Sequence, residues 1–269
     1  MYDAAVLWHW AEFAVRWVHV ITAIAWIGSS FYFIALDLGL HRDRKLDTGA
    51  DGEEWQVHGG GFYNIQKYLV APARLPGDLV WFKWESYSTW LSGFTLLVLV
   101  YWLGGELYLI DPNVLDIPVW QGALISAASL AFGWVVYDQL CRSRFGDEPV
   151  RLMLALFGII VLMSLFYTSV FSGRAALLHL GAFTATIMSG NVFFTIIPNQ
   201  KVVVADLIAG RTPELNRSAS RKITAVAAQV QCGLPLRAWR VLNQCRIVTP
   251  IRNTSDAMIQ VFCPAKARG

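Results

Sequence analysis

Uncharged apolar runs of nearly constant length recur along this chain, separated by polar stretches that carry its charges. The runs cover residues 18–36, 86–105, 117–137, 152–171 and 175–197, and none contains Asp, Glu, Lys or Arg. About 20 such residues are needed to cross ~30 Å of hydrocarbon as a helix. The first run extends outward to about 13–38. The pattern therefore predicts an all-α, polytopic membrane helix bundle of about five transmembrane helices. Only Ser172, Gly173 and Arg174 separate the last two runs, so those helices are expected to be antiparallel neighbours.

The polar segments orient the bundle. Lys and Arg concentrate in the loops after the first and third runs and in the segment after the fifth, whereas the connection at 106–116 has acidic residues and no basic ones. By the positive-inside rule the N-terminus is outside and the chain after the fifth run begins in the cytoplasm. Trp8, Trp10 and Trp17 suit an interfacial anchor ahead of the first span. Residues 41–85 form a long polar connection with a glycine triplet, Gly59, Gly60 and Gly61. Such a triplet allows positive φ or close backbone approach, and a loop of this length without regular structure is uncommon unless it has a job.

Composition agrees with this reading. Of 269 residues, 55% are hydrophobic and only 15% charged, well short of the roughly one quarter typical of soluble domains. Domain organisation follows from charge: 1–215 is the transmembrane part. Residues 217–269 carry nine Lys and Arg against one acidic residue, Asp256, and no run long enough to span. That tail reads as a divergent basic segment, either disordered or lying on the membrane surface. The cysteines (Cys141, Cys232, Cys245 and Cys263) form no C-x-x-C-H motif, so no covalently attached haem c is expected. No phosphate-binding loop, dinucleotide fingerprint, Ser/His/Asp order or nucleic-acid module is present. No nucleic-acid partner is expected, and no internal repeat recommends a transporter.

Two histidines lie inside the apolar runs. An ionisable ring there is a functional-site hypothesis by default. His19 stands near the outer end of the first span and His179 five residues past Arg174, near the outer end of the fifth. At 1.5 Å per residue the two rings are expected at nearly the same depth. Equal depth is what a bis-histidine haem b needs, with iron between the helices. Arg16 and Arg174 would then pair with propionates. The alternative for each histidine is an ordinary interhelical hydrogen bond, and for each arginine simple snorkelling. His58, beside the glycine triplet, is a ligand, a general base or a loop hydrogen-bonder. Arg174 and His58 are the catalytic candidates. Asn191 is a candidate substrate contact, with helix–helix hydrogen bonding as its alternative.

Four strings carry a family resemblance: 16–33 (RWVHVITAIAWIGSSFYF), 58–63 (HGGGFY), 81–94 (WFKWESYSTWLSGF) and 173–200 (GRAALLHLGAFTATIMSGNVFFTIIPNQ), with 72–74 (PAR) between them. Over about 1–215 the chain resembles the bacterial membrane-bound urate hydroxylases. The resemblance implies a membrane domain of about eight helices, normally fused to a c-type cytochrome domain. It also implies oxidation of urate to 5-hydroxyisourate in purine catabolism, with electrons leaving through the cytochrome. Here the cytochrome c acceptor would come from another chain, and the location would be a bacterial inner membrane. After Asn216 the resemblance is lost, and the composition break suggests a frameshifted or truncated gene product. Two other outcomes stay open: a haem-binding membrane electron-transfer subunit without a urate site, and a non-functional remnant.

Overall fold

A computed structural model describes residues 4–210, all within one compact unit. The expected tail at 216–269 lies outside the described residues. Helix α1 runs Ala4–Gly39. At 1.5 Å per residue its length is about 54 Å, well beyond one hydrocarbon thickness, so its polar-aromatic start projects past the span. Phe13, Val20, Ile24, Ile27 and Phe31 are exposed along it. A helix apolar on its outward side needs lipid or other helices there.

The expected irregular connection after α1 is instead built around a β-hairpin. Strands β1 (Ala50–His58) and β2 (Gly61–Tyr68) pair antiparallel, with His58 opposite Gly61 and Val57 opposite Phe62. The two turn residues are Gly59 and Gly60, at φ 58° and 81°. Positive φ at both central positions is the requirement of the two-residue hairpin turn whose twist matches the strands. The hairpin is tied to the end of α1: Lys67 Nζ meets Asp37 at 2.6 Å and Tyr32 donates to Gln56 at 2.8 Å. Beside it, Arg42 pairs with Asp51 at 2.9 Å, and that hydrogen bond raises the guanidinium pKa above its ordinary value.

Helix α2 (Trp84–Leu96) continues without a break into a π-helical turn, Leu97–Trp102, and a short α3 (Gly105–Tyr108) follows. Helix α4 is Val119–Arg142 and α5 is Pro149–Val170. Helix α6 (Gly173–Asn191) passes through a second π turn, Val192–Ile196, into α7 (Ile197–Ile208). Pro198 lacks the N–H that would close the preceding helical turn, and the wider π turn sits immediately before it. The two form one helical rod, so the fifth expected span runs on well past 197.

Four described helices are long and apolar enough to cross a membrane: Ala4–Gly39, Val119–Arg142, Val150–Val170 and Gly173–Ile208. The chain is a membrane protein with a helical bundle. The second expected span, 86–105, is helical through Trp102 but is not one of these four. Its polar residues explain why. Ser86, Thr89 and Ser92 are buried within the bundle. Polar side chains that bond between helices lower the apparent hydropathy of a segment without exposing it. Helix α1 packs along α2, and α6 packs on both α4 and α5. The core between them contains Leu130, Tyr137, Tyr167, Phe171 and Phe183.

Candidate ligand cavity between three helices

Helices α1, α2 and α6, with Leu130 of α4, line a half-open cavity of about 650 Å³, within the 300–1,000 Å³ usual for small-molecule sites. From α1 come Arg16, His19 and Trp26; from α2, Trp90, Gly93 and Phe94; from the π turn, Val100 and Tyr101. Helix α6 contributes Arg174, Leu177, Leu178, Gly181, Ala182 and Ala185. These α6 positions recur at steps of three, one, three, one and three, the spacing of a single helical face. Small residues at 181, 182 and 185 leave the space. Aromatic walls and a pair of guanidinium groups give the cavity its character. Trp90 and Phe94 are stacked at 5.1 Å with 11° between their planes. The Trp90 indole N–H is spent on Thr186 Oγ1 at 3.1 Å. Arg16 is half-exposed and 3.5 Å from Glu12, and Arg174 lies 5.2 Å over the Tyr108 ring.

His19 reaches α2. Its Nδ1 lies 3.1 Å from both the Thr89 carbonyl and Ser92 Oγ. A carbonyl only accepts, so we assign the proton to Nδ1. Ser92 keeps its own hydroxyl hydrogen for the Ser88 carbonyl at 2.7 Å. Nε2 then carries a lone pair with no partner among the described residues. The ring lies flat enough on α2 to need Gly93: a Cβ there would stand 2.8 Å from His19 Cε1.

His179 is fully buried but does not line the cavity. Its Nδ1 donates to the Ala175 carbonyl at 2.7 Å, and its Nε2 accepts from Ser126 Oγ at 2.8 Å. Ser126 Oγ in turn accepts from Trp102 Nε1 at 3.1 Å. Tyr167 donates to Ser129 at 2.9 Å, and Ser129 donates to the Ser126 carbonyl at 2.7 Å. The imidazole is packed among Phe171 at 4.5 Å, Tyr167 at 5.6 Å and Tyr101 at 5.9 Å. This is a satisfied core histidine on the α4–α5 side of α6.

The five-residue step explains the separation. Residues three apart, such as Arg16 and His19, share a helix face. Residues five apart, such as Arg174 and His179, point about 140° apart at 3.6 residues per turn. Equal depth along the helices therefore does not bring the two rings to one place. A haem ligated by both needs a nitrogen from each on the same cavity, and His179 has both of its nitrogens engaged elsewhere. The residues as placed do not fit that group. Among the described residues no cluster of three or more His, Cys, Asp or Glu could hold a metal ion.

The remaining candidates separate as well. His58 is exposed at the hairpin tip, paired through the backbone with Gly61. Asn191 is buried and donates to Tyr137 Oη at 2.7 Å, a helix–helix bond. Sequence reasoning missed Trp90, Phe94 and Tyr101. The signal for them was the stripe 90, 93, 94, 97 and 101 within the second apolar run.

No curated protein and no solved structure matches the chain. The family model described as "Urate oxidase N-terminal" matches residues 5–231. The match takes in every residue of the cavity and extends past the composition change at Asn216. With a ligand-sized cavity set inside that matched region, the chain belongs to the urate oxidase N-terminal family, and its function is related to that of urate oxidases.

Proposed function

We propose that this chain is the membrane half of a urate-oxidising, cytochrome-linked oxidoreductase, and that the cavity between α1, α2 and α6 takes urate. The observation that carries the reading is the lining itself. Urate is a planar anion. The cavity offers a stacked aromatic wall at Trp90 and Phe94 and the guanidinium groups of Arg16 and Arg174. Arginine suits planar oxygen-bearing anions through its fork of donors, and an apolar wall excludes water from the flat faces of the ring.

The reaction supported by the family is urate plus water giving 5-hydroxyisourate, two protons and two electrons. The electrons would pass singly to a c-type cytochrome carried on another chain. The location that suits such a chain is a bacterial cell membrane, with the N-terminus and the arginines toward the outer face.

The test uses the full chain purified in detergent. Saturable urate binding by equilibrium dialysis is expected, weakened at least tenfold in Arg174→Gln, as loss of a charge-assisted contact implies. Urate-dependent reduction of added cytochrome c is expected alongside it. Binding without cytochrome reduction would leave a urate-binding membrane subunit. Absence of saturable binding would overturn the assignment of the cavity.

A further inference from the structure

Most polar side chains on the cavity wall are either pure donors or already hydrogen-bonded within the protein. Arg16 and Arg174 have no acceptor. Trp26 offers only an indole N–H, and that of Trp90 is already engaged with Thr186. The Thr89 hydroxyl is turned onto the Glu85 carbonyl at 2.7 Å, and the Thr89 carbonyl faces His19. Tyr101 Oη is sealed from solvent with no hydrogen-bond partner among the described residues. Thr186 Oγ1 accepts from Trp90 Nε1, and among the described residues His19 Nε2 is the ring nitrogen of this wall left as an acceptor with no partner. The Thr89 carbonyl fixes it as an acceptor by holding the proton on Nδ1, and Gly93 gives the ring room to lie in that orientation.

We propose that His19 is the specificity-determining residue of the cavity, with Nε2 accepting a hydrogen bond from a ring N–H of the ligand. The ligand class is a planar anionic heterocycle that presents carbonyl oxygens to the arginines and at least one ring N–H to His19. The inference rests on the reading that the cavity takes urate, and it names what that site discriminates. A donor buried without its acceptor keeps the full cost of its lost hydration, so a site built around one N–H rejects a close analogue that lacks it or carries a methyl there.

The experiment compares urate with its four N-monomethyl derivatives, by equilibrium dialysis against the full chain in detergent. The wild-type protein is expected to bind at least one methylurate roughly ten- to a hundredfold more weakly than urate. His19→Asn separates this role from a structural one. The asparagine amide can still donate to the Thr89 carbonyl from the position of Nδ1, but nothing replaces Nε2. His19→Asn is expected to keep the wild-type thermal midpoint within a few degrees. It should lose a similar factor in urate affinity and cease to discriminate the methylated position. His19→Gln, which returns an acceptor near the place of Nε2, is expected to recover part of the affinity. Wild-type binding of all four methylurates as tightly as urate would overturn the inference without needing any variant to fold. Unchanged urate binding and discrimination in His19→Asn would overturn it alone, leaving the cavity assignment intact. No saturable urate binding to the wild type would remove both.

Discussion

His19 and His179 are the same side chain in the same kind of helix, and each is held with its proton on Nδ1 by a backbone carbonyl. They differ at Nε2. In His179 a serine hydroxyl fills that position, and aromatic rings close around the imidazole. In His19 the position is open and the ring forms part of a cavity wall. A buried histidine is therefore read from its second nitrogen. Where both nitrogens are satisfied within the core, the residue contributes to packing. Where one is left over beside a cavity, it is available to a ligand.

The comparison is broken most severely at the closed site. His179→Ala removes two buried hydrogen bonds and opens a void beneath Phe171 and Tyr167. It is expected to destabilise the protein by about 2–4 kcal/mol, seen as a large fall in thermal midpoint by tryptophan fluorescence in detergent. The urate affinity of the remaining folded fraction should hold within about twofold, because His179 lies on the other face of α6. Collapse of affinity in that folded fraction would show that the two faces are coupled.

Ser126→Ala is expected to cost somewhat less, about 1–3 kcal/mol. It leaves the fully buried His179 Nε2 without a donor and the partly buried Trp102 Nε1 without an acceptor. Thermal unfolding measures this, and a midpoint equal to wild type would mean that Nε2 has found another partner.

How much of this was readable from sequence follows from what a linear pattern encodes. Hydropathy reports span positions, so α1, α4, α5 and α6 were legible, with boundaries displaced by a few residues except at the start of α1, which begins nine residues before the expected 13, and at 173–208, where the whole continuation beyond Pro198 was missed. Depth was legible too, since rise per residue is fixed. Facing direction is encoded as well: the five-residue step between Arg174 and His179 divides them between two faces. The hairpin was obscured because Glu, Gln and Lys mix with Trp55, Val57 and Phe62 along its strands, although two glycines between extended segments were a turn signal. The partners were not legible. Nothing local in the sequence couples Ser126 to His179, or Gly93 to His19, across 53 and 74 positions.

Gly93→Ala sharpens the comparison from the open side. The new methyl would lie 2.8 Å from His19 Cε1, so the ring must turn or shift away from α2. Replacing a helical glycine by alanine favours the helix by up to about 1 kcal/mol, which offsets much of the strain. The net effect is expected in binding rather than stability: roughly a tenfold loss of urate affinity, about 1.4 kcal/mol, with the thermal midpoint within a few degrees of wild type. A variant with full affinity would show that the orientation of His19 on α2 does not matter to the ligand.

The smallest effect is expected where the chemistry of the change is identical to that at Ser126. Ser92→Ala also deletes a buried serine hydroxyl next to a histidine nitrogen, yet the two sites are not equivalent. At His19 the nitrogen in question is a donor, and the Thr89 carbonyl, also at 3.1 Å, continues to accept from it after Ser92 Oγ is gone. The hydroxyl's own hydrogen was spent on the Ser88 carbonyl within the same helix, where the i−4 carbonyl is already a helical acceptor. Nothing buried is orphaned. Polar contacts between membrane helices average about 0.6 kcal/mol when measured by double-mutant cycles, and a redundant one should fall at or below that value. Ser92→Ala is therefore expected to change stability by no more than about 0.5 kcal/mol and to leave urate affinity within twofold. A loss as large as that of Ser126→Ala would mean that Ser92 donates its hydroxyl hydrogen to Nδ1, which moves the ring proton to Nε2, and the assignment of Nε2 as the open acceptor would have to be reversed.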